Sequence, residues 1–208
     1  MTNNQDFEKR IAELLERQGS MERQLDELRS KQEIAEVLFR GSRAADRGDV
    51  DLMKSIFHPD GTDYRGVANG PAENTRNALK YWNADMAHHV VTNILIEFES
   101  KNVAKVESYC TATHYVSVEN NGKGRDEHIK TRYVDRFERR NGEWKIARRI
   151  CVWDYTRVSP TGQTWEEVVN GPGVSDKRFI KGRRDKEDPS YTFELPEQFR
   201  SYEPNANF

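Results

Sequence analysis

Hydrophobic and polar positions divide the 208-residue chain into stretches of different character. From Phe7 to Leu28, apolar side chains recur at alternating gaps of four and three, as Phe7, Ile11, Leu14, Met21, Leu25 and Leu28, with polar Gln18 filling one place in the row. That spacing is the seam of a heptad repeat. It predicts a helix over residues 7–32 that forms a coiled coil or packs on a neighbouring subunit. A single solvated amphipathic helix fits the same pattern, and Gly19 weakens the repeat. A second helix is predicted from Lys31 to Arg47, with Ile34, Val37, Leu38 and Ala45 as its apolar side. Gly48 ends it, and Asp49 is placed to cap the next helix, "VDLMKSIF". Arg47-Gly48-Asp49 is therefore a helix junction and not an adhesion motif. "HPDGTDYRG" predicts a turn with a short strand, and a further helix begins near Pro71 in "PAENTRNALKYWNADM".

From His89 the period changes to two. "HVVTNILIEF", "VAKVESYCTATHYVSVE", "EHIKTRYVDRFERR" and "EWKIARRICVWDYTRV" are rich in β-branched and aromatic residues, and "ESKN", "NNGKGRD" and "RNG" separate them. Four long consecutive strands imply a strongly curved antiparallel sheet. Helices first and sheet second make the class α+β. After Val158 the chain turns Pro-, Gly- and charge-rich. The organisation expected is an extension helix over residues 1–31, a domain over 32–158, and a C-terminal tail or lid over 159–208. Such a tail is ordered only by docking, with Trp165, Phe179, Tyr191 and Phe193 as anchors.

Composition narrows the function classes. Lys plus Arg is 33 against 35 for Asp plus Glu, a balance that gives no reason to expect a nucleic-acid footprint. No apolar run has membrane-spanning length, and "MTNNQDFEKR" lacks the apolar core of a signal peptide, so a soluble cytoplasmic protein is expected. Cys110 and Cys151 fit no metal-ligand spacing and are expected to stay reduced. With no metal-spaced cluster and no Gly-rich phosphate loop, no cofactor or metal is expected. Only 35% of residues are hydrophobic. Either the arms are very polar or part of the core is made with partner chains.

"MAHHVVTNILIEF" places His88 and His89 at the start of a strand, where successive side chains point to opposite faces. Only one of the two can serve a given site. Taken with "IAEVLFRGSRAADRGDVDLMKSIFHPDG" and "DRFERRNGEWKIARR", this segment resembles the SnoaL-like branch of the nuclear transport factor two-like superfamily, which includes scytalone dehydratase and hexachlorocyclohexane dehydrochlorinase. The resemblance spans roughly Gln32 to Val158. It implies a cone-shaped curved sheet packed by helices, a small-molecule substrate, and a homo-oligomer, with a trimer preferred. It also implies a catalytic pair, Asp46 at the end of the first cone helix and His89 at the start of the long strand, supported by Arg149 in "WKIARRI". A Lys found in the dehydrochlorinase pattern falls on Gly41 here, which argues against the same substrate. His88 then faces away.

The same resemblance sets the phase of the strands. It turns Tyr109, Thr111, Thr113, Thr131, Tyr133, Cys151 and Trp153 inward and His114 outward. Tyr64, Tyr109, Thr111, Thr131, Tyr133 and Trp153 are the candidates for substrate binding. Hydrophobicity speaks for the other phase in one strand, where Val106, Cys110, Ala112 and Val116 are the apolar set.

Taken singly, Asp46 reads as a solvated helix-end carboxylate and His89 as a half-buried strand histidine. Taken together they suit proton abstraction. The carboxylate fixes the tautomer and stabilises the imidazolium, while a cationic Arg149 steadies an oxyanion or a leaving group. The function implied is a cofactor-independent lyase of the dehydratase, elimination or retro-aldol type acting on a small hydroxylated aromatic or polycyclic substrate. An isomerase or hydrolase on the same pair is one alternative, and a non-catalytic binding or assembly module is another.

Overall fold

The two helices predicted before Gly48 are a single one. A computed structural model, which describes residues 2–66, 69–73, 84–117, 124–162 and 180–194 together with Val168 and Glu197, shows α1 unbroken from Thr2 to Arg47. The segment around residue 31 carries strong helix formers and no proline, and its i,i+4 pairs Lys31–Glu27 (2.6 Å) and Arg29–Glu33 (2.8 Å) run straight through the expected break. One side of the helix's C-terminal half packs on the sheet through Ile34, Val37, Leu38, Ala44 and Ala45. Arg139 ties the middle of the helix down, reaching Asp26 at 3.1 Å and Ser30 at 3.4 Å.

The helix ends as its sequence requires. Gly48 takes φ +62°, the Asp49 amide donates to the Ala44 carbonyl (2.9 Å), and the Gly48 amide donates to Ala45 (3.4 Å). Asp49 then caps α2 (Val50–Ser55), accepting from the Leu52 amide at 3.1 Å. Among the described residues six strands follow: β1 (Phe57–Tyr64), β2 (Asn69–Pro71), β3 (Met86–Ser100), β4 (Val103–Val116), β5 (Arg125–Arg140) and β6 (Glu143–Pro160). Ala72 and Glu73 are helical; the rest of the helix expected after Pro71 lies outside the described residues.

The strands form one curved, unclosed sheet in the order β2-β1-β6-β5-β4-β3. It is mixed, not wholly antiparallel, because β1 runs parallel to β6. After β2 the chain crosses to the far edge to start β3, and the three hairpin connections then bring β6 back beside β1. Bulges between Thr92 and Leu95, where Asn93 takes φ +49°, and at Lys130/Thr131 and Arg136/Phe137 bend the strands as a cone requires.

The buried phase of β4 is the apolar one. Ala104, Val106, Ser108, Cys110, Ala112, His114 and Val116 point inward, while Tyr109 and Thr111 are exposed and Thr113 shares their face. This reverses the orientation expected for Tyr109, Thr111 and His114. The reason is energetic: the apolar alternate set loses most by facing water, and a one-residue shift would expose all of it. In β5 the inward set is Ile129, Thr131, Tyr133, Asp135 and Phe137.

Part of the tail is docked. Residues 180–194 run as a strap onto the α1–α2 junction and include α3 (Pro189–Thr192), capped by Asp188, which accepts from the Ser190 amide at 3.0 Å. Arg47 pairs with Asp188 (3.1 Å), Arg43 donates to the Ser190 carbonyl (2.8 Å), and Lys186 and the Tyr191 hydroxyl (2.8 Å) both donate to Asp49. The docking is mostly polar. Of the expected aromatic anchors, Tyr191 lies under Arg43, but Phe193 is 89% exposed and holds nothing down. Trp165 and Phe179 lie outside the described residues. Among the described residues no helix is long and apolar enough to cross a membrane.

Asp188 makes the strap pH-sensitive. Burial raises its pKa, but the bonds from Ser190 and Arg183 and the charge of Arg47 outweigh burial and hold it at about 2. A carboxylate depressed in the folded state stabilises above its ordinary pKa, and that contribution is lost as pH falls through the folded value. Hydrogen exchange should find the amides of residues 183–192 protected down to about pH 4 and released toward about pH 2. Asp188→Ala should expose them at neutral pH.

Candidate active site

The last turn of α1 and the first turns of β3 meet at one residue pair. Asp46 Oδ1 lies 2.7 Å from His89 Nδ1, and the His89 backbone amide donates to both oxygens of the same carboxylate at 3.0 and 3.3 Å. Each side chain is only 12% exposed. The ring presents Nδ1–H to Asp46, which leaves Nε2 as its acceptor nitrogen. The pair borders a cavity of about 410 Å³ lined also by Phe39, Ser42, Arg43, Arg47 and Val91. His88, one residue earlier, is exposed on the other face of the strand.

A second histidine lies beside this pair, His114, which the resemblance turned outward. Ala87 and His89 on β3 stand in register with His114 and Ala112 on β4, so the two inward histidines are diagonal neighbours. Their ring centroids are 5.3 Å apart. His114 Nδ1 lies 3.0 Å from Glu127 Oε2, and Glu127 is held in turn by Arg125 at 2.6 Å. Two imidazoles therefore sit side by side, each set by a carboxylate at Nδ1. Burial pushes the His114 pKa down. Glu127 pulls the other way, and the neighbouring His89 adds to the depression.

Arg149 is held elsewhere. It stands in register with Asp135 on β5, and its guanidinium makes a bidentate pair with that carboxylate at 2.9 and 2.7 Å. The guanidinium lies 3.9 Å over the Tyr133 ring. Along β4, the register of Arg149 and Asp135 falls at Val106, whereas His89 falls at Ala112. The expectation of an Arg149 turned on the histidine is thus corrected, because a buried guanidinium needs a counter-charge and Asp135 is the facing residue. Between the two centres lies Cys110, whose thiol accepts from the Tyr133 hydroxyl at 3.4 Å. Burial pushes that thiol's pKa up, against the Tyr133 bond and the charge of Arg149. Asp63 and Arg65, paired at 2.6 Å, complete this inner polar cluster.

The other expected contacts divide by phase. Thr131 and Tyr133 face inward, and Trp153, in register with Thr131, donates its indole N–H to the Arg65 carbonyl at 3.1 Å. Tyr64 is exposed, because its neighbour Asp63 takes the inward place on β1. Tyr64, Tyr109 and Thr111 thus fall outside the cone. A Cβ at Gly41 would meet Ile56 Cδ1 at 2.9 Å, so a side chain there requires the tip of Ile56 to shift. A cation whose charge bears on Asp46 comes instead from the strap. Arg184 donates to the carbonyls of Ala45 (3.1 Å) and Ala84. Burial lowers its pKa, opposed by the charges of Asp46 and Asp85. The apolar alternation of β4 pointed to His114; nothing in the tail's sequence singles out Arg184.

These features define an α+β cone protein with a carboxylate-oriented histidine pair on its inner face. Residues 26–150, more than half of the chain, match the SnoaL-like domain, and the chain belongs to that family. Solved structures with the same fold include a protein assigned as scytalone dehydratase from Novosphingobium aromaticivorans (21% identity, TM-score 0.57, covering 73% of this chain and 98% of that one). They also include hexachlorocyclohexane dehydrochlorinase LinA type 2 (20% identity, TM-score 0.58, 72% and 99%). A third is the type 3 enzyme of Novosphingobium barchaimii (20% identity, TM-score 0.57, 67% and 95%). Among curated proteins none matches the sequence.

Two measurements test this geometry. His114 titrates below the ordinary histidine value of 6.5, so the unfolded chain binds the proton first as pH falls. Its stabilising contribution is complete above that value and is lost as pH drops through the lower, folded pKa. Thermal unfolding from about pH 7 to about pH 5 should show a falling Tm, and His114→Gln should flatten the slope. Arg149→Ala should act first on stability. It strips Asp135 of its bidentate partner, and urea unfolding should report a loss of about 3–5 kcal/mol.

Proposed function

We propose that the chain is a cofactor-independent lyase that removes a proton and a leaving group from a small hydroxylated aromatic or polycyclic substrate, with His89 as the base. The observation that carries this reading is the threefold hold of Asp46 on His89 at the edge of a cavity large enough for such a molecule. Asp46 keeps Nε2 as the acceptor and offsets the charge formed when that nitrogen takes a proton. A positioned base of this kind contributes about 10²–10⁴-fold.

In a dehydration, His89 takes the proton from carbon. The C–H electron pair becomes the new π bond, and the C–O bond breaks. The leaving oxygen takes up the proton that His89 carries, water departs, and the ring returns to its starting state. His114, kept neutral by burial and by its neighbour, favours one proton shared between two rings over two charges held at once. A hydroxylated substrate is supported by the buried polar atoms farther along the inner face. Asp63 Oδ1 and Ser108 Oγ are fully buried with no hydrogen-bond partner among the described residues, and a substrate hydroxyl would satisfy either. The scytalone dehydratase-type and dehydrochlorinase neighbours carry names that describe eliminations, which agrees with this choice.

The adjacent ring also favours a second reading, isomerisation, in which the proton returns to another carbon. Aromatic diols and β-hydroxy carbonyl compounds, followed by mass spectrometry, separate the cases: loss of water marks dehydration, two fragments mark retro-aldol cleavage, and an unchanged mass with a new retention time marks isomerisation. His89→Ala should lose about 10²–10⁴-fold in kcat/KM. Asp46→Asn should lose much of the same, since an amide presents the wrong partner to Nδ1. The double variant should lose little more, because residues acting as one unit are not additive. Normal turnover by His89→Ala would remove the base from this scheme.

A further inference from the structure

The N-terminal part of α1 lies at the surface among the described residues. Every residue from Asp6 to Gln18 is exposed. An isolated helix of that length is marginal in water and gains its stability from packing. The row that would supply such packing is present and uncovered: Phe7, Ile11, Leu14, Met21, Leu25 and Leu28 are between 42 and 66% exposed. At 100° per residue this row runs half a turn away from Asp26, Ser30 and Ile34, which face the sheet. The sheet therefore does not cover it. The row keeps heptad spacing, with the isoleucine at an a position, leucines at a and d, and one polar a position, Gln18.

We propose that this seam pairs with the same seam of a second copy of the chain, as a parallel, in-register two-stranded coiled coil. The charges flanking the seam select the partner and its direction. One flank reads Arg10, Arg17, Gln24 and Lys31, and the other reads Glu8, Leu15, Glu22 and Arg29. A parallel partner sets Arg17 of each helix against Glu22 of the other, twice by symmetry. It also lays the stem of Arg10 over Leu15, which is otherwise 63% exposed. An antiparallel partner would set the mainly basic flank against itself and the mainly acidic flank against itself. Isoleucine at a with leucine at d favours two strands, and a single polar a position fixes register. The pattern is self-complementary, as an isologous contact requires.

Two experiments on the full chain test the proposal. In light scattering, Leu14→Glu/Leu25→Glu should halve the mass of the wild-type protein while near-UV circular dichroism stays the same, because both positions are exposed in the single chain. Equal masses for the two proteins would overturn it, whether the seam is unpaired or covered by another segment of the same chain. In the second experiment, Gln18→Cys should form a covalent dimer under mild oxidation. Glu16→Cys, on the far side of the helix, should not. Parallel in-register pairing sets residue 18 against its own copy, so equal cross-linking at both positions, or none at 18, would overturn it. Cys110 is buried and Cys151 half-buried, and both are present in the Glu16→Cys control, so the comparison isolates position 18.

Discussion

Three hydrogen bonds that one carboxylate accepts from one residue hold this end of the molecule together. Asp46 grips His89 through both the ring and the backbone, so the position of β3 and the orientation of the imidazole are set by the same contact. The contact exists only because α1 stops where it does. Gly48 turns the chain with a positive φ, and Asp49 restarts it as α2 while also receiving Lys186 and Tyr191 from the strap. Within residues 46–49 the helix end, the histidine and the tail are joined. One residue inserted into α1 ahead of Asp46 would rotate the carboxylate by about 100° and separate all of them.

The inner face of the cone holds charge at two separate centres. Near the start of β3 the carboxylates of Asp46 and Glu127 each orient an imidazole. Deeper in, Arg149 and Arg65 are matched by Asp135 and Asp63 around Tyr133. Buried ion pairs of the second kind contribute little net stability compared with apolar packing but strongly penalise the loss of one member. They fill one stretch of the inner face with charge, while the apolar core, around Phe137, Ile146 and Trp144, lies against the helices.

The two halves of α1 differ in what they meet. Its C-terminal half is a core element and its N-terminal half an exposed one, and apolar stripes lie on opposite sides of the same rod. A helix apolar on two faces has two surfaces to cover, and the sheet covers one.

Much of the architecture was legible in the sequence because it rests on local chemistry. Heptad spacing marked the exposed seam, Gly48 and Asp49 marked the helix junction, and four runs of β-branched residues marked β3 to β6. Successive histidines guaranteed that His88 and His89 would part. The parallel β1–β6 pairing was not legible, since strand neighbours depend on where the chain crosses the sheet. Nor was the unbroken length of α1, because a row of apolar residues facing solvent and a row facing the sheet read as two helices until the sheet is in place. The inward phase of β4 was decided by burial of its apolar set, which overruled the resemblance and carried His114 to His89 while sending Tyr109 and Thr111 outside. Arg149 had a charge and a strand position in the sequence; its partner was settled by register, which set Asp135 opposite. Arg184 had neither motif nor period. Local spacing determines which side chains share a face, but only the register between strands and the docking of the tail decide which charges meet across it, because those contacts join residues far apart in the chain.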